Sequence, residues 1–89
     1  MGSEMLVLLY FDWLGNPKEL KDWETNIKEA CMKTGVEYRG LYSSMNEKWN
    51  YVSILETEAY GNFLAMGKKV VRHRKMPNNI AEVLLPQNL

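Results

Sequence analysis

The chain has 89 residues, one cysteine, one histidine, and eleven basic residues balanced by eleven acidic ones. That length suits one domain and buries only about 60–65% of the surface an unfolded chain exposes, so the core needs support from elsewhere. One cysteine excludes an intramolecular disulfide. One histidine with one cysteine does not make a zinc ligand set of the common kind, and a neutral chain has no general pull toward nucleic acid or an anionic membrane.

Met1-Gly2-Ser3 resembles an expression scar, so residues 1–4 are set apart and 5–89 are read as one domain. Met5-Leu-Val-Leu-Leu-Tyr-Phe11 is a continuous apolar run of strand length, ending at Asp12 and the Gly15-Asn16-Pro17 punctuation. Such a run predicts a central strand buried on both faces over 5–12. Asn16-Pro17-Lys18-Glu19 follows. Asn16 can cap free amides, Pro17 sits at the first helical position, and Glu19 is placed to close a capping box. Leu20, Trp23, Ile27, Ala30 and Cys31 then recur at helical spacing, and Gly35 supplies a left-handed stop. A helix over 17–34 is expected.

Residues 36–43 and 49–56 alternate in polarity around a polar connection and predict a hairpin. Thr57 is the expected cap of a second helix over 58–75, with Tyr60, Phe63, Leu64, Gly67, Val70 and Val71 as its apolar stripe. Residues 80–85 make a last short strand, stopped by Pro86. The order is β-α-β-β-α-β. With right-handed crossovers this is an α+β, ferredoxin-like fold: a four-stranded antiparallel sheet with two helices on one face.

Two helices cover one sheet face and leave the other open. If Leu41 pairs with Val52 toward the helices, Tyr42 pairs with Tyr51 on the open face, joined there by Tyr38 and Trp49. Aromatics that each bury about 150–250 Å² make a larger patch than a monomer keeps wet. These four residues are the candidate dimer interface or ligand surface. Arg72, His73 and Arg74, crowded with Lys75 near the end of the second helix, are a candidate anion contact, with a solvated helix terminus as the plain alternative. Cys31, on an apolar stripe with no histidine placed beside it, reads as a small buried hydrophobe. Glu56 and Glu58 are neighbours in sequence that point apart. Asp12-Trp13 is a faint pointer to the end of the first strand. No cofactor or metal signature is evident. With no leader and no membrane-spanning run, the expected location is the cytoplasm and the expected partner a second copy.

In element order, length and aromatic sheet face the chain resembles the dimeric α+β barrel superfamily, whose members pair sheets face to face. The resemblance covers nearly all of 5–89 and is one of architecture. It implies a homodimer, and it brings in monooxygenases and haem-linked enzymes as functional relatives, with none of their site residues mapping onto this chain. The same order also resembles RNA-recognition domains. Lys48-Trp49-Asn50-Tyr51-Val52-Ser53-Ile54 repeats the aromatic spacing of their third strand, and Leu9-Tyr10-Phe11 echoes the first. The glycines of that motif are replaced, Ile54 stands for its last aromatic, and the basic surround is missing. A single-strand nucleic-acid module is therefore the alternative reading, beside a small-ligand protein or monooxygenase.

Overall fold

The computed structural model describes residues 4–44, 48–70, 76 and 78–87. The elements are β1 (Met5–Phe11), α1 (Pro17–Thr34), β2 (Glu37–Ser43), β3 (Tyr51–Thr57), α2 (Tyr60–Lys69) and β4 (Asn79–Leu84). The four strands form one antiparallel sheet in the order β2-β3-β1-β4, the ferredoxin-like arrangement, with β1 in the middle as its two-sided apolar sequence requires.

α1 begins and ends where its sequence signals lie. Asn16 accepts from the Glu19 amide at 2.8 Å, and the Glu19 carboxylate accepts from the Asn16 amide at 3.2 Å. At the other end Gly35 adopts φ 74, a left-handed cap. The buried stripe is the expected one: Leu20, Trp23, Ile27, Ala30 and Cys31. It packs on Val7, Phe11 and Leu55 from the two central strands. Phe11 is the hinge of this core, with its ring 4.9 Å from that of Trp23 and 5.7 Å from that of Tyr51.

α2 differs from the sequence reading. It starts at Tyr60, not 58, and ends at Lys69, with Val70 extended. Thr57 does not cap it. Its backbone belongs to β3, opposite Met5, and its hydroxyl closes a tight turn with Ala59, accepting from the Ala59 amide at 3.3 Å and donating to the Ala59 carbonyl at 3.1 Å. Two glycines in ten residues weaken this helix, and β-branched Val70 follows it. Val71 and the rest of 71–75 lie outside the described residues.

The Asn16 cap is separable from the core, because both its bonds are local and exposed. Asn16→Ala should cost about 1 kcal/mol and lower Tm by about 4–8 °C, measured by calorimetry, with the fold retained. Asn16→Asp should keep most of the stability.

Candidate functional site

Among the described residues, the side of the sheet away from the helices has no element packed on it. Its composition follows from the register. On β1 the buried Val7 and Phe11 point to the helices, so Leu6, Leu8 and Tyr10 point the other way. Pairing then places Glu56, Ile54 and Val52 beside them from β3, and Leu84, Glu82 and Ile80 from β4. β2 contributes Tyr42, opposite Val52, and Gly40, opposite Ile54.

This face is aliphatic, not the aromatic one that the sequence suggests. The hairpin register is offset by one residue from the expected pairing: Leu41 lies opposite Ser53, not Val52. A slip of one residue exchanges the faces. Tyr51 therefore turns to the helix side, opposite Phe11 on β1 and stacked on its ring. Tyr38 goes to that side as well, because the ladder shifts between Tyr38 and Gly40 and Arg39 is the extra residue. The Tyr38 hydroxyl donates to Glu24 of α1 at 2.9 Å. Of the four aromatics only Tyr42 stands on the open face, 51% exposed. Its ring lies over Gly40, where a Cβ would come within 3.1 Å of it, so a glycine is required beneath. Trp49 precedes β3, half-buried in the hairpin connection, with the Lys48 ammonium 6.0 Å from its ring. Arg72, His73 and Arg74 lie outside the described residues.

The open face ends in a charged corner that sequence reading did not assemble. Glu4, Glu37 and Glu56 bring carboxylate oxygens within 4.8 Å of one another. Arg39 bridges two of them, 2.7 Å from Glu56 and 3.2 Å from Glu37. The Arg39 guanidinium holds the Glu56 carboxyl below its usual range, whereas the hydrogen bond to Glu56 raises that of Glu4. The signal was the pairing of Glu37 with Glu56, legible only once the register is known. Glu58, which neighbours Glu56 in sequence, adds only its field to Glu4.

Beneath the other face sits a small polar group. Burial raises the Tyr38 hydroxyl far above its ordinary range; Ser53 pulls the other way, and Glu24 adds to the rise. Ser53 is itself buried and its hydroxyl has no well-formed hydrogen bond. Burial pushes the Cys31 thiol up to about 11, which leaves it un-ionised and unfit as a nucleophile near neutrality. Asp12 and Trp13 have structural roles: the Asp12 carboxylate accepts from the Asn50 amide at 3.1 Å, and the Trp13 indole donates to the Asn16 carbonyl at 3.2 Å. Between the helices, Asn26, Glu29, Ala30, Lys33 and Lys69 line an open polar hollow of about 270 Å³.

No family model matches the sequence, and no curated protein matches it significantly. Solved structures do share the fold. Chlorite dismutase from Candidatus Nitrospira defluvii in complex with imidazole superposes with a TM-score of 0.67 at 11% identity, over 96% of this chain and 40% of that one. A mutant chlorite dismutase from the same organism gives 0.62 at 11% identity, over 97% of this chain and 42% of the other. The chain thus spans about two fifths of the chlorite dismutase length. It has the ferredoxin-like architecture on which dimeric α+β barrels are built, and at this identity the likeness is one of fold.

The Cys31 thiol offers a check on the core. Burial holds its pKa near 11 in the folded chain, above the ordinary value of 9.0. The neutral form is therefore favoured by folding, and the stability linked to it is complete below pH 9 and lost as pH rises toward 11. The urea midpoint of the wild type should fall more steeply across that window than that of Cys31→Ala. Native Cys31 should also resist iodoacetamide at pH 8 by a factor of about 10 or more against a free thiol, with reactivity returning in denaturant.

Proposed function

We propose that the chain is a self-associating α+β barrel module whose open sheet face packs against the same face of a second copy. The carrying observation is the composition of that face: Leu6, Leu8, Tyr10, Tyr42, Val52, Ile54, Ile80 and Leu84 form an apolar field, bordered by Glu82 on the β4 edge and by a charged corner at one end. Four strands at about 4.8 Å spacing and seven residues at about 3.3 Å rise span roughly 19 × 23 Å. That is small beside the ~800 Å² each partner gives to a standard interface, so the contact depends on the apolar centre formed by β1 and β3. An uncharged middle with a polar border is the anatomy of an interface, and a two-fold axis covers both copies' patches at once. The short chain and the absence of any disulfide supply the motive.

The functions of the structural neighbours are not carried over. Chlorite chemistry belongs to proteins more than twice as long. The one histidine, His73, lies outside the described residues, so no residue of this chain is assigned to haem-linked chemistry. The nucleic-acid reading is weakened by the placement of Tyr51 under α1, because base stacking needs aromatic rings on the outer face of the central strands.

Light scattering across a dilution series tests the proposal. Leu8→Glu puts a charge in the centre of the dry contact and should weaken association by about 3–5 kcal/mol, more than a hundredfold. A wild-type mass near one chain at tens of micromolar would overturn it. In parallel, no salt-dependent binding of single-stranded RNA is expected; micromolar affinity at physiological salt that weakens steeply with added salt would favour the nucleic-acid reading instead.

A further inference from the structure

The sheet has two edges, and they are built differently. The β2 edge is defended. It carries Glu37 and Arg39, its ladder is interrupted between Tyr38 and Gly40, and Gly40 at φ 149 turns the strand. A bulge with flanking charges is a way to stop an edge from accepting another strand. β4 has no such device. Its register with β1 runs without a break from Leu6↔Leu84 to Phe11↔Asn79. It contains no proline, and Glu82 is its single charge. Five of its six residues are exposed, and only Val83 reaches the core. Ile80 is 53% and Leu84 42% exposed, and Leu85 just past the strand 62%. As an outermost strand, β4 turns every second amide and carbonyl toward no neighbouring strand. A straight, unbroken edge with several exposed aliphatic residues and a single charge is a weakly defended template for strand pairing.

We propose that β4 is completed by the β4 of a second copy, antiparallel across a two-fold axis, so that two four-stranded sheets become one of eight strands. A self-pairing strand must tolerate its own sequence, and this one does. With the axis at Ala81, Glu82 falls opposite Ile80 of the copy and only diagonal to its own counterpart, so no like charges stand directly opposite each other. Opposed residues in an antiparallel ladder share a face, so Ile80 then lies diagonal to Ile80 and Leu84 of the copy, and exposed aliphatic side chains of both chains meet. A peptide of unrelated sequence gains the backbone bonds without that match. This contact uses the edge of the sheet and leaves the open face free, so edge and face can be occupied together in a dimer of dimers.

The test compares four proteins by light scattering and sedimentation, with far-UV circular dichroism confirming the fold of each: wild type, Ala81→Lys at the edge, Leu8→Glu at the face, and the double variant. The expected masses are four chains or more, two, two and one. Amide exchange in Leu8→Glu should show Ile80 to Leu84 protected tenfold or more at 100 µM relative to high dilution, with the difference lost when Ala81→Lys is added. An Ala81→Lys protein that assembles as the wild type does, or β4 protection independent of concentration, overturns the edge proposal. A wild-type dimer dissociated by Ala81→Lys but not by Leu8→Glu supports the edge and overturns face pairing. One dissociated by Leu8→Glu alone does the reverse.

Discussion

β1 is apolar on both sides and sits between two other strands, so each of its faces must be covered by something. On one side the covering is internal. Val7 and Phe11 meet the stripe of α1, and the Phe11–Trp23 contact at 4.9 Å ties the central strand to the longer helix. On the other side, among the described residues, Leu6, Leu8 and Tyr10 have lateral neighbours from β3 and β4 and no covering element. A strand with alternate residues committed to a core cannot turn the remaining ones inward as well, since its side-chain period is two. The uncovered face is thus a direct consequence of the sequence of one seven-residue strand.

What the sequence makes legible and what it hides follow from the range of the forces involved. α1 was readable to the residue because its determinants are local: a capping box three residues wide, a proline at the first turn and a left-handed glycine. The element order and the central place of β1 were readable because a two-sided apolar run has few places to go. The identity of the open face was not. It depends on the hairpin register of β2 against β3, which sets Tyr42 and Tyr51 on opposite faces, and on one bulge residue, Arg39, which moves Tyr38. Tyr38 and Tyr42 are four apart and would share a face on a regular strand; the extra residue separates them. The Glu4–Glu37–Glu56 corner was hidden for the same reason, since it unites β2, β3 and the residue just before β1, which only the sheet brings together.

The same bulge links the site to the shape of the sheet. By adding one residue it sends Tyr38 down to Glu24, where the phenol fixes β2 to α1, and turns Tyr42 up onto Gly40. It also leaves Arg39 able to reach Glu37 and Glu56 at once. One irregularity thereby closes the β2 edge, anchors it below and places a cation among carboxylates above.

That corner bears on how two open faces would meet. Three carboxylates and one guanidinium leave an excess of negative charge at one end of a surface whose other charge is Glu82 on the β4 edge, and the hydrogen bond to Glu56 raises the Glu4 carboxyl. Buried against its own image, the corner would confront like charge in a medium of low dielectric, and the desolvation of both would exceed what one arginine on each side returns. Packed with the corner at the border, the charges stay in water and the aliphatic centre of β1 and β3 meets its counterpart. Sheets packed face to face hold their strands at a fixed angle set by twist. In the proposed pairing the corner would favour an arrangement in which the two-fold axis passes near Leu8 and Ile54 and leaves Glu4, Glu37 and Glu56 outside the dry contact.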